Sequence, residues 1–217
     1  MKILPLFFIA IGLIISAPQN ATAQMTDYQD MPAGVYNLDE THAMLIWRVS
    51  HLGLSNYTAR FTDFDADLTF DPENPENSQL VATVNPMSVE TDYPYPERKD
   101  FDKVLATGED WFNAGNFPKI EYKSRKITHN GDNTGTIEGD LTLLSVTMPL
   151  TLDVTFNGAM AEQPFSKKPT LGFSATGTMK RSDWGMGAFV PNIGDEVELI
   201  IEAEFGMEPE ASENEGS

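Results

Sequence analysis

Three histidines, His42, His51 and His129, are the residues of this chain best suited to hold a metal or to move a proton near neutral pH. A strand-length run separates His42 from His51, and no His-x-x-x-His or helical pair with a carboxylate occurs. A site shared by His42, His51 and an acidic residue therefore lacks supporting spacing. Each histidine reads instead as bonded to backbone or set in a polar spot, and neither a metal nor a cofactor is expected. Asp63, Asp65 and Asp67 alternate along one strand face, as solvated carboxylates do. There is no Gly-x-Ser-x-Gly elbow and no glycine-rich phosphate loop. The absence of cysteine excludes disulfides, thiolate ligands, a cysteine nucleophile and a lipid attached at a cleavage-site cysteine. No positive sign of an enzyme is left. Arg98, Lys99 and Arg181 are scarce cations in an acidic chain, and a surface role is their default. Beside the mouth of an apolar cavity, however, such a cation would pair with the polar or anionic head of a ligand.

The elements that must position these groups are strands. Leu171, Phe173 and Ala175 alternate with Gly172, Ser174 and Thr176, and Val197, Leu199, Ile201, Ala203 and Phe205 alternate with mostly acidic neighbours. Period-two alternation gives each strand an apolar face and a wet one. Further runs span 35–38, 44–50, 57–70, 79–85, 120–128, 135–144 and 150–157. Turn chemistry at Asn74-Pro75, Asn130-Gly131-Asp132, Asn157-Gly158 and Gly194-Asp195 separates most of them. Eight or nine such strands predict an all-β antiparallel barrel. Leu141, Phe173 and Leu199 are placed on its inner face, with Trp47 and Phe61 as further candidates to line a hydrophobic channel. One segment departs from the pattern: residues 97–106 predict a short helix with Phe101, Val104 and Leu105 on one side, stopped by Gly108 and followed by Trp111, Phe112 and Phe117. It would lid or plug a barrel mouth, or merely cap an apolar edge.

The ends bound the compartment. Lys2, the apolar run Ile3 to Ile15 and the small residues Ala21 and Ala23 predict a cleaved export signal over 1–23, with Gln24 as the new N-terminus. That run is shorter than the roughly 20 residues a membrane span needs, so no stable anchor is expected. Residues 24–33 form a polar lead-in, 34–206 the folded domain and 207–217 an acidic tail expected to be disordered. A net charge of −19 repels phosphate backbones and anionic headgroups, which argues against both nucleic acid and peripheral membrane binding.

Taken together, Tyr36 to His42, Val49 to Gly53, Phe61 to Phe64, Val89 to Thr91, Trp111-Phe112 through Phe117-Pro118, Gly139 to Thr142 and Arg181 to Gly185 resemble the YceI family of lipocalin-like, polyisoprenoid-binding exported bacterial proteins. Singly these motifs are weak; their order and spacing carry the resemblance from about Gly34 to Phe205. It implies an elongated lipocalin-like β-barrel around a long apolar channel, a periplasmic location and often a homodimer. The guest would be a polyisoprenoid or quinone-like lipid that the protein carries or sequesters. His42, Arg98, Arg181 and Asp183 are the residues placed at its head group. Ser145 stands where the family usually has glycine, and Met148 where it often has arginine, which removes one potential head-group cation. Two other readings stay open. One is an enzyme acting on such a lipid at the mouth with His42 or Asp183 as acid or base, and the other is a stress-response interaction protein whose cavity is structural.

Overall fold

Alternating apolar and polar residues dictate strands, and strands with one apolar face close on themselves to bury it. The computed structural model describes residues 25–207, so the expected export signal and all but the first residue of the acidic tail lie outside it. In chain order its elements are β1 (Gly34–Leu38), β2 (Met44–His51), β3 (Ser55–Phe61), β4 (Phe64–Phe70), β5 (Gln79–Val84), β6 (Val89–Glu90), α1 (Phe101–Thr107), β7 (Ile120–His129), β8 (Thr134–Leu143), β9 (Val146–Met160), β10 (Thr170–Lys180) and β11 (Ile193–Met207). Strands β1, β4, β5, β7, β8, β9, β10 and β11 pair in that order, and β1 returns to β11 through Tyr36↔Met207 and Leu38↔Phe205. The result is a closed antiparallel eight-stranded barrel. Along the other part of the same β11 edge runs β2, from Ile193↔His51 to Glu202↔Met44, and β3 and β6 follow it outward.

Several predicted runs are divided differently. The run 57–70 is two strands, not one. Ala59 and Phe61 face inward on odd numbers, whereas Phe64, Ala66 and Leu68 face inward on even ones, so the chain must change phase between them. The change is pinned by the neighbouring 85–88 turn: the Thr62 amide donates to Ser88 O at 3.1 Å, and Asn85 N and Nδ2 donate to Asp63 O and Oδ2 at 2.9 and 2.7 Å. Asn157-Gly158 is not a turn. It is a bulge inside β9, where the pairing steps from Phe156↔Phe173 to Gly158↔Gly172 and Gly158 takes φ +151°. Gly194-Asp195 likewise lies within β11, and Asp195 is used there to accept from Ser182 N and Oγ at 2.9 and 2.8 Å.

The helix begins later than predicted. Pro94 and Pro96 flank Tyr95, whose carbonyl accepts from the Arg98 amide to close a turn, and Asp100 then caps α1 by accepting from Lys103 N at 3.0 Å. Gly108 ends it, as its sequence position predicts. The Asp102 carboxylate accepts from Thr91 N at 2.9 Å and from the Thr91 hydroxyl, tying the helix to β6. Leu105 and Ala106 are buried beneath it. The polar lead-in is also docked: Thr26 bridges Ala159, and Met31 is buried.

Candidate functional site

The inward side chains of an eight-stranded barrel are close to filling it, so a hollow interior has to be left by the choice of residues. Here it is left. A cavity of about 1020 Å³ runs the length of the barrel, at the upper end of the range for small-molecule pockets. Its wall is almost wholly apolar. Leu45, Trp47 and Val49 come from β2, Leu150, Leu152 and Val154 from β9, and Val197, Leu199 and Ile201 from β11. At one end it reaches His51, Leu52, Lys99, Asp110, Phe189 and Asn192; at the other it reaches Tyr28, Ser78, His129, Asp132 and Asn133.

The first end lies under α1. Phe112 packs on Phe61 and Trp47 with ring centroids 5.2 and 6.3 Å apart, and Phe101 packs on Tyr57 at 5.9 Å. The segment around the helix therefore inserts aromatic groups into that end, as a plug would. The second end is covered by the lead-in, where the Tyr28 ring meets His129 and Phe156 edge-on at 5.8 Å. Among the described residues, the buried side-chain polar atoms without a hydrogen-bond partner are Trp47 Nε1 and Tyr57 Oη, and both residues belong to this wall. Such an atom loses water without gaining a partner, at a cost of about 1–3 kcal/mol.

Of the residues singled out for the channel, Trp47, Phe61, Leu141, Phe173 and Leu199 all stand on the cavity wall. The head-group candidates do not gather there. His42 lies in an exposed single turn outside the barrel, with Nδ1 2.9 Å from Asp39 Oδ2. That hydrogen bond and the charges of Asp39 and Glu204 raise its pKa. Arg98 is exposed, with its guanidinium 4.6 Å above the Tyr95 ring and 3.7 Å from Glu97. Asp183 is exposed and does not border the cavity.

Arg181 does border it, but the side chain is buried and committed elsewhere. Its guanidinium donates to Gly194 O and Ala188 O at 2.8 Å, to Ile193 O at 3.0 Å and to Met186 O. It staples the 186–194 loop, and burial pulls its pKa down. Lys99 also reaches the cavity, with Nζ 4.8 Å above the Phe101 ring. Met148 packs against the apolar core.

His51 ends β2 and His42 lies in the turn before its start, so a strand about 23 Å long at about 3.3 Å per residue separates them and they share no site. Asp39, His42 and Glu204 instead bring one donor atom each within 4.8 Å of one another, on the outer surface. The Asp39 carboxylate there already accepts from Thr41 N and Oγ1 and meets His42. Wall residues that sequence reading did not single out, among them Tyr57 and Phe156, come from strand phase, whereas Phe112 comes from the plug segment. Phe156 was legible as a continuation of the Leu150, Leu152, Val154 alternation.

A closed antiparallel barrel around an apolar interior, capped by a short helix, defines the class. The chain belongs to the YceI-like domain family, whose pattern matches residues 36–205. It is 35% identical over 185 residues to a UPF0312 protein of Pseudomonas paraeruginosa, covering 84% of this chain and 92% of the relative. BcnA of Burkholderia cenocepacia shares the fold with a TM-score of 0.66 at 21% identity, over 77% of this chain and 98% of that one. A Saccharophagus degradans domain described as polyisoprenoid binding, and implicated in plant cell wall breakdown, superposes with a TM-score of 0.55 at 14% identity, over 82% and 100% of the two chains.

Proposed function

We propose that the protein is an exported, periplasmic carrier or store for a long hydrophobic amphiphile, a polyisoprenoid or quinone-like lipid, held inside the barrel. The observation that carries this reading is the continuous apolar cavity of about 1020 Å³. The description of a fold neighbour as polyisoprenoid binding points the same way. The energetics suit such a guest. Each buried methylene contributes about 0.8 kcal/mol, so a five-carbon prenyl unit supplies about 3–4 kcal/mol before ordering costs. A few units give tight binding without an elaborate polar site. The head group would meet a sparse set of partners at the helix end: Lys99, and the unpaired donors of Trp47 and Tyr57. The enzymatic reading loses its acid and base candidates at the mouth, because His42 and Asp183 do not border the cavity.

Phe173 tests the reading. Its ring sits between Phe156 and Phe205, at 5.5 and 6.1 Å, on the cavity wall. In a filled core, Phe173→Ala would cost about 3–5 kcal/mol. Facing a guest channel, it should cost delipidated protein clearly less, and lipid-loaded protein should change in bound-lipid length or occupancy. Melting curves of both forms check this. A full core-sized loss in delipidated protein, with lipid content unchanged, would contradict the reading.

A further inference from the structure

The cavity wall continues onto the outer surface at the helix end, and what it becomes there is apolar. Leu52 and Leu54, at the β2–β3 turn, are 54% and 83% exposed; Phe189 and Val190, in the loop before β11, are 66% and 39% exposed. The two loops form one rim, because the Leu52 amide donates to Asn192 O at 2.7 Å. Leu52 and Phe189 also line the cavity, so inside and outside are a single apolar surface. Scattered exposed leucines need no explanation, but a contiguous patch around a pocket mouth does.

Charge sets the rim apart from the rest of the surface, and its backbone is strained as well. Leu52 and Phe189 both hold φ in the left-handed region, at +56° and +62°, which bulky side chains avoid. Neither Leu52-Gly53-Leu54 nor the loop 186–192 contains a charged residue, in a chain of net charge −19. The turn and plug beside them, residues 97–110, set Arg98, Lys99 and Lys103 against Glu97, Asp100, Asp102, Glu109 and Asp110. The rim is thus an uncharged, apolar-tipped part of an acidic protein. It can approach an anionic bilayer where the rest of the surface is repelled.

We propose that this rim is a transient membrane-docking surface. Leu52, Leu54, Phe189 and Val190 insert at the headgroup–acyl boundary of a bilayer, so that an isoprenoid guest passes into the cavity without crossing water. The inference rests on the carrier reading above. A second copy of the chain on the same patch would shut the guest's route.

The test uses vesicles of phosphatidylethanolamine and phosphatidylglycerol carrying radiolabelled geranylgeraniol, together with the Leu54→Glu variant, since Leu54 does not line the cavity. Wild-type protein should co-float with the vesicles and take up label. Leu54→Glu should cut co-flotation and the uptake rate about tenfold, which corresponds to losing one partly inserted leucine. Loading from detergent, and the melting temperature, should match wild type. Vesicle uptake unaffected by Leu54→Glu, with normal detergent loading, would overturn docking and leave the carrier reading standing. A wild-type dimer that Leu54→Glu splits would assign the rim to a second copy and also overturn it. Failure of wild type to load even from detergent would remove both readings.

Discussion

At the scale of single residues, the inner face of the barrel was legible and its polar fittings were not. Trp47, Phe61, Leu141, Phe173 and Leu199 follow from alternation alone, because a strand shows its two faces in the order of its sequence. Arg181 depends on where the carbonyls of Met186, Ala188, Ile193 and Gly194 fold to, and no local pattern records that. His42 shows the same gap: its partner is Asp39, in the same turn, and the turn faces outward. Its folded-state pKa is raised above the ordinary 6.5 by the hydrogen bond to Asp39, while Asp39 is held below 3.8 by hydrogen bonds from Thr41 and His42. The sign follows. The raised imidazole adds stability that is complete below 6.5 and is lost as pH rises through its folded-state value. The lowered carboxylate adds stability that is present above 3.8 and is lost as pH falls through its own. An NMR titration should place the His42 midpoint above the ordinary histidine value, and Asp39→Asn should bring it back. A wild-type midpoint at the ordinary value would contradict the pairing.

At the scale of elements, the strands were legible and the breaks between them were written in a signal subtler than turn residues. Inward positions are even in β1 and β4, through Tyr36, Leu38, Phe64 and Ala66. They are odd in β2 and β3, through Leu45, Trp47, Ala59 and Phe61. The same switch of phase occurs across Ser124 to Lys126 in β7 and across the Asn157-Gly158 bulge in β9. A phase switch without a glycine-proline cluster reads as one long strand, as 57–70 does. Close packing between elements adds a constraint that sequence hides entirely. Gly139 in β8 lies beneath the Tyr122 ring of β7, whose hydroxyl donates to Ile137 O and Leu150 O at 2.9 and 3.2 Å. A Cβ at Gly139 would sit 2.4 Å from Tyr122 Cζ and 2.6 Å from Lys123 O. Gly139→Ala should therefore destabilise by about 1–3 kcal/mol through overpacking, although alanine favours most other sites over glycine. Denaturant melts check it, and an unchanged midpoint would mean that Tyr122 can leave its bonds at no cost.

At the scale of the whole molecule, the fold resolves a conflict between a large apolar surface and an acidic, water-facing chain. Closing eight strands into a ring hides the apolar face and removes the sheet's free edges there. Two apolar clusters then support the wall, one beneath α1 and one around Tyr36 and Leu171, with the cavity between them. Residues that could fill such a barrel are present, since Phe101 and Phe112 already enter one end. The interior nevertheless stays hollow, walled by aliphatic side chains such as Leu150, Leu152, Val154 and Leu199 together with aromatic ones such as Trp47, Phe61 and Phe173. The central claim is that this space exists for a guest. Organic extraction of protein purified without detergent, followed by mass spectrometry, tests it most directly. The account predicts a lipid with a long isoprenoid or similar chain at a substantial fraction of one per barrel, depleted by heat or solvent and restored on reloading. Protein from its native compartment that yields no such lipid, and melts identically with and without added isoprenoid, would contradict it.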